Sequence, residues 1–212
     1  LSGLRQSERR GRRSLQLVIG GAHMIRFATE QDLSAMLAIY RPYVENTTIT
    51  FEYDVPCRRE FMQRFLDITR QFPWLVWEEE GKVLGYAYAS RFHPRAAYDW
   101  CAEVSIYLDR NERGRGLGRK LYERLEHGLR SQGVLTAYSC IAHTQEPDEY
   151  LDHASIRFHE RMGYRLTGTF PNCGYKFGRW YGMVWMEKRL APEGTGETAP
   201  APVVPYRMGE DG

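Results

Sequence analysis

Residues 103–118 read Glu-Val-Ser-Ile-Tyr-Leu-Asp-Arg-Asn-Glu-Arg-Gly-Arg-Gly-Leu-Gly, and this stretch constrains the chain more than any other. Glu103, Ser105 and Tyr107 alternate with Val104, Ile106 and Leu108, the period of a strand with two unlike faces. Polar residues follow, then Gly114, Gly116 and Gly118 interleaved with Arg113, Arg115 and Arg119. Leu117, Leu121, Leu125 and Leu129 next recur at helical spacing. A strand therefore enters a glycine-rich turn that opens a helix. Such a turn suits an anion, because the first helical N–H groups lack partners and carry partial positive charge. Glycines let backbone approach a phosphate, and the arginines add charge.

Two phosphate signatures do not fit. No Lys-Ser/Thr follows the glycines, as a P-loop requires, and the spacing is Gly-x-Gly-x-Gly, not Gly-x-Gly-x-x-Gly. What remains, Arg-Gly-x-Gly-x-Gly after a strand, resembles the pyrophosphate loop of the GNAT N-acetyltransferases, which hold acetyl-coenzyme A. The bland alternative is a tight turn whose glycines serve geometry alone.

A chain of 212 residues with 42% apolar content fits one domain with tails. Lys and Arg number 29 against 27 Asp and Glu, a net +2 that makes no case for nucleic acid. Cys57, Cys101, Cys140 and Cys173 form no Cys-x-x-Cys pair and no metal-ligand spacing, so no metal site is expected and free thiols in a reducing cytoplasm are. No apolar run has the length of a membrane span. Residues 1–23, with Arg5, Arg9, Arg10, Arg12 and Arg13, read as a disordered leader or upstream remnant; a basic arm touching nucleic acid is the sharper alternative. The domain is expected over residues 24–190, and residues 191–212, rich in Pro, Gly, Thr and Glu, as a disordered tail.

Within the domain, residues 25–28 read as a strand. Thr29 offers an N-cap with Asp32 three residues on, a weaker relative of the capping box, for a helix through Leu33, Met36, Leu37 and Tyr40, which Pro42 is expected to end. A second helix begins near Arg58 with Phe61, Phe65 and Ile68 on one face. Residues 75–77 and 83–89 form a hairpin around Glu80-Gly81, before the strand that contains Glu103. Gly133 ends the helix begun at Leu117, residues 134–142 make a buried strand, and residues 155–162 a short helix closed by Gly163. Residues 164–170 and 181–190 close the fold as a strand pair across a Gly-rich connection. The order β-α-α-β-β-β-α-β-α-β-β specifies an α/β sandwich with a mixed sheet.

Further stretches resemble the phosphinothricin acetyltransferase-like branch of that superfamily. Ile39-Tyr40 with residues 47–52 is similar to Ile-Tyr…Thr-x-x-Thr-Phe-Glu; Glu103-x-Ser-x-Tyr107 to Glu-His-Ser-Val-Tyr-Val; Ser155-Ile-x-Phe-His-Glu160…Gly163-Tyr164 to Ser-x-x-Leu-His-Glu…Gly-Phe; and Gly174-Tyr-Lys-Phe-Gly-Arg-Trp180 to Gly-x-Lys-Phe-Gly-Arg-Trp. The likeness spans residues 25–190 in order. It implies a mostly antiparallel sheet flanked by about four helices, acetyl-coenzyme A as acyl donor, a small-molecule amine acceptor such as an amino acid or analogue, and a homodimer. One departure is Asp152, where the family carries an Asn that contacts the pantetheine arm; an ionised Asp accepts hydrogen bonds but donates none.

The resemblance also implies roles. The loop from Arg113 to Arg119, with Asp152 and Ser155, would hold the donor, and its pantetheine arm would pair with the backbone of Ile106, Tyr107 and Leu108 as an added strand. An N–H of Tyr107 or Leu108 would face the developing oxyanion. Glu103 would be the general base, acting through water, although a salt-bridged strand carboxylate is its bland reading. His159 stands where many relatives place a Tyr and could protonate the departing thiolate; as a lone helix His it also fits simple packing. Arg91, Arg95, Lys176 and Arg179 could pair with an acceptor anion, Phe51, Phe92, Tyr98 and Trp100 could wall the pocket, Glu52 is a further candidate acceptor contact, and residues 175–180 could instead form the dimer surface. A peptide N-terminal acetyltransferase and a noncatalytic acyl-coenzyme A-binding domain are the competing readings.

Overall fold

The computed structural model describes residues 17–18, 23–112, 114–192, 195 and 200–206, and its architecture follows the two periodicities of the sequence. Among these residues eight strands form one sheet: β1 (Leu17–Val18), β2 (His23–Phe27), β3 (Trp74–Glu79), β4 (Lys82–Arg91), β5 (Cys101–Leu108), β6 (Thr136–His143), β7 (Arg165–Lys176) and β8 (Arg179–Arg189). They lie in the order β1-β2-β3-β4-β5-β6-β8-β7. Every neighbouring pair is antiparallel except β5 and β6.

Four helices cover the two faces: α1 (Leu33–Asn46), α2 (Arg58–Thr69), α3 (Leu117–Gln132) and α4 (Ala154–Arg161). The leucine stripe of α3 is buried against Trp77, Ala87, Val104 and Val184, together with Phe158 of α4. Each such leucine contributes about 1.5–3 kcal/mol, enough for the stripe to fix which side α3 takes. On the opposite face Met36 and Tyr40 of α1 and Phe61 and Phe65 of α2 pack on Trp74, Val76 and Tyr86. Buried Glu126 of α3 pairs with Lys188 of β8 at 2.6 Å, pinning the helix to the far half of the sheet. No helix among the described residues is long and apolar enough to cross a membrane.

The feature that positions the site is a fault in the sheet. β5 pairs with β6 only where Cys101, Ala102 and Glu103 meet Thr136, Ala137 and Tyr138. Beyond Glu103, β5 stays with β4 and β6 stays with β8, so the two parallel strands part. A wedge opens between them.

Three expectations change. Pro42 lies inside α1 and does not end it. It removes one N–H bond, but the following turn buries Val44, and the Lys176 ammonium caps the helix end by donating to Val44 O at 2.8 Å and Thr47 O at 2.9 Å. The Gly-rich connection between the last strands is itself strand. Two register shifts in β7 absorb the irregular residues, and the turn tightens to Phe177 and Gly178, both at positive φ. Residues 200–206, placed by composition in a structureless tail, lie along the domain: Val204 N bonds Gln132 O, Tyr206 N bonds Gln71 O, and the Tyr206 ring sits 4.9 Å from Phe27. The expected leader lies outside the described residues apart from His23 and the Leu17–Val18 pair, which ladders onto Met24 and Ile25.

Candidate active site

The wedge exposes backbone of known parity. Trp100 O bonds the N–H groups of Leu135 and Thr136 on the β6 side, whereas Asp109 N bonds Leu84 O on the β4 side. Since backbone groups alternate along a strand, those of Glu103, Ser105 and Tyr107 turn toward β4, and those of Val104, Ile106 and Leu108 turn into the wedge where β6 has left. Of the two amides expected to face the oxyanion, that of Tyr107 turns toward β4 and that of Leu108 turns into the wedge, together with that of Ile106. Leu108 O already accepts the Tyr43 hydroxyl at 2.6 Å. The Tyr107 ring sits among Tyr40, Tyr43 and Tyr86.

A cleft of about 550 Å³ runs from the wedge to the start of α3, lined by Ile106, Leu108, Gly114, Gly116, Leu117, Gly118 and Arg119, with Asp152 and Ser155 opposite. Gly116 is the residue preceding α3 and holds φ 78°, and Gly114 holds φ 76°. A side chain at either would meet no atom, so these two are needed for conformation. Gly118 is needed for contact: a Cβ there would lie 3.3 Å from Phe158 and 3.4 Å from Ile106 and Leu108. The first intrahelical bond runs from Lys120 N to Gly116 O, which leaves the preceding amides at the cleft. Open strand edge, unpaired helical N–H groups and a cleft joining them fit an extended thioester with a diphosphate at one end.

The arginines divide. Arg113 lies outside the described residues. The Arg115 side chain pairs with Glu112 and, at 2.7 Å, with Glu79, so it braces the loop from outside and does not reach the cleft as expected. Arg119 borders the cleft while paired with Glu123, an exposed contact that a phosphate can displace. Arg110 and Arg161 also line it. Neither belongs to the glycine motif, and only the folded chain brings them there. Asp152 accepts the Ala154 N–H at 2.7 Å, so its carboxylate turns the backbone into α4.

Glu103 stands at the point where β5 and β6 separate, beside Ser90 and Tyr138. It is half-buried and has no hydrogen bond or ion pair among the described residues, which removes the salt-bridge reading. Desolvation pushes its carboxyl above the ordinary value. Burial, then the charges of Glu103 and Glu52, keep the hydroxyl of Tyr88, cross-strand from Ser105, above the ordinary value against the charge of Arg64.

His159 is 2% exposed. Its Nδ1 lies 2.8 Å from Ser155 O and so donates there, and Nε2 lies 3.0 Å from the Tyr122 hydroxyl. Burial lowers its pKa to about 4. A neutral ring whose one N–H is spent on a backbone carbonyl has no proton for a thiolate, so the acid role expected of His159 is corrected to a structural one.

Most expected acceptor contacts are engaged elsewhere. The Lys176 ammonium is buried and bonds Val44 O, Thr47 O and Thr50 O within 2.9 Å, clamping residues 47–52 to β7; it cannot meet an acceptor. Arg179 pairs with Asp148 at 3.1 Å and Glu149 at 3.0 Å, holding the loop before α4. Arg91 pairs with Asp99, and Glu52 with Arg64. Phe51 packs on Ala142, Leu151 and Tyr181 and lies over Gly174, where any Cβ would come within 2.8 Å of its ring. Tyr98 meets Phe92, which stacks on Tyr138 at 4.5 Å beside Glu103.

Residues 25–185 match the Acetyltransferase (GNAT) domain, and the chain belongs to this family of acetyl-coenzyme A-dependent N-acetyltransferases. It is 32% identical over 183 residues to a phosphinothricin N-acetyltransferase of Streptomyces viridochromogenes, covering 86% of this chain and 92% of that one. It is 35% identical over 171 residues to an L-methionine sulfoximine/L-methionine sulfone acetyltransferase of Pseudomonas aeruginosa, covering 79% and 95%. The crystal structure of a Sinorhizobium meliloti phosphinothricin acetyltransferase in complex with acetyl-coenzyme A superposes with a TM-score of 0.77 at 34% identity, covering 88% of this chain and 99% of that one.

Proposed function

We propose that the enzyme acetylates the α-amine of a small amino acid or amino-acid analogue, of the phosphinothricin or methionine sulfone type. The observation that carries this is Glu103: a desolvated carboxylate without an ion-pair partner, at the head of the wedge into which Ile106 and Leu108 turn their amides. Acetyl-coenzyme A supplies the acetyl group as a thioester. Ile106 and Leu108 pair with its extended arm, and the amides at the start of α3 hold its diphosphate with Arg119. The Ile106 N–H stabilises the negative charge that develops on the thioester oxygen. Glu103 takes a proton from the acceptor ammonium through water, leaving the lone pair free to attack. The thiolate is a good leaving group and departs without a dedicated acid.

Exposed Phe170, Tyr175, Phe177 and Trp180 on β7, β8 and their turn support a homodimer through this hairpin. The free thiols support a cytoplasmic setting. The test is thiol release from acetyl-coenzyme A across an amino-acid panel that includes methionine sulfone and phosphinothricin. Turnover with free amino acids that vanishes in Glu103→Gln is expected. Turnover confined to peptide N-termini would overturn the reading.

A further inference from the structure

The wedge does not end at its mouth. Behind the strand edges it narrows to a recess of about 50 Å³, open on one side and lined by Val104 and Ser105 from β5, Ser139 and Ile141 from β6, and the rings of Tyr122 and His159. Ile106, Leu151 and Ser155 border both the recess and the larger cleft, so one opens into the other. The two rings are the back wall. Tyr122 is 0% and His159 2% exposed, and Phe158 and Tyr164 meet both rings edge-on. His159 is bonded at both nitrogens, to Ser155 O and to the Tyr122 hydroxyl. Turning either ring aside leaves buried polar atoms unpaired, so the wall does not yield.

A space of about 50 Å³ seats roughly three to five water-sized groups. The sulfur, carbonyl carbon, oxygen and methyl of an acetyl thioester fill it; a further methylene would press on the rings, and overpacked sites resist such insertions. The geometry points to Tyr122 and His159 as the residues that set acyl length, a fixed wall that admits acetyl and excludes propionyl and longer groups. This rests on the transfer reading above and adds what limits its donor. It also accounts for a buried histidine that the acetyl transfer itself does not use.

The experiment compares kcat/KM for acetyl-, propionyl- and butyryl-coenzyme A with one acceptor, using the full chain. Propionyl transfer is expected to be about 10- to 200-fold slower than acetyl, with butyryl slower again. His159→Ala removes half the wall and should raise the propionyl-to-acetyl ratio at least about tenfold, even where both rates fall. Tyr122→Phe keeps the ring but leaves His159 Nε2 unpaired, and should raise the ratio by less than His159→Ala does. Equal use of propionyl and acetyl by the parent enzyme, or an unmoved ratio in His159→Ala, would overturn the assignment. If His159→Ala does not fold, Ile141→Val, which trims the recess from β6, must raise the ratio instead. Should no amine be acetylated at all, the transfer reading fails, and calorimetry with the same three donors then decides the wall separately. Weaker binding of propionyl- than acetyl-coenzyme A supports it, and equal binding removes it.

Discussion

Two neighbouring parts of β5 flank the point where β6 turns away and are built on different principles. From Val104 to Leu108 the strand presents backbone, and what it offers depends on β6 having turned away. At Glu103 the working group is a side chain, and its properties come from surroundings supplied by β4, β6 and the loop of residues 47–52. The contrast extends outward. Gly114, Gly116 and Gly118 shape the start of α3 by lacking side chains, whereas Lys176, Arg179 and Arg64 hold loops in place through charge. Donor binding should therefore respond to backbone changes and acceptor chemistry to charge changes.

The sharpest way to break that division is Glu103→Gln. Loss of a general base should lower kcat about 10²- to 10⁴-fold while the acetyl-coenzyme A affinity measured by calorimetry stays nearly constant. A large loss of donor affinity would show the two halves to be one. Burial raises the Glu103 pKa above its ordinary 4.5, so the folded chain keeps this proton to higher pH than the unfolded chain. Its contribution to stability is thus greatest below the ordinary value and declines as pH rises through the folded one. Glu103→Gln should accordingly melt no lower than the parent at pH 7, and the rate of the parent should fall as pH drops through the raised value.

Lys176→Met tests the bracing role. Three buried carbonyls lose their donor, and destabilisation of roughly 3 kcal/mol or more is expected in denaturant melts. A raised acceptor KM with unchanged stability would instead return Lys176 to substrate binding. His159 gives a comparable effect of opposite pH sense to Glu103. Its pKa falls from 6.5 to about 4 on folding, so its contribution is complete above pH 6.5 and is lost as pH falls toward 4, roughly 3 kcal/mol in all. In His159→Gln that part of the acid loss should disappear from the stability–pH curve.

Gly116→Ala forces a side chain into a left-handed conformation at φ 78° and should cost about 1 kcal/mol of stability with weaker coenzyme A binding and an unaltered acceptor preference. Arg179→Ala removes an exposed ion pair and should change stability by less than about 1 kcal/mol, with acceptor KM unmoved. A tenfold rise in KM would mean that the guanidinium leaves Asp148 to meet substrate.

What could be read in advance tracks how local each feature is. The β5 alternation, the glycine turn and the leucine stripe of α3 lie on one segment, and each is a short-range rule, so strand, turn and helix follow from spacing alone. The order of the remaining elements was equally legible. Pro42 was misleading because a breaker's effect depends on what the next turn buries and on a lysine far along the chain. Lys176, Arg179 and Arg115 carry the right charge for a ligand, but charge in a sequence does not reveal its partner. Their partners Val44, Asp148 and Glu79 are distant in sequence, so only folding could assign them.

The sequence by itself determined that a glycine-rich turn would open a helix shortly after a two-faced strand bearing Glu103, because periodicity and glycine geometry act within a few residues. Only the tertiary structure decided that β6 would part from β5 after Glu103, which amides would face the opening, and that His159 would be sealed behind it. Those outcomes depend on how separate strands and helices compete for the same hydrogen bonds and the same space, and that competition does not exist until the chain is folded.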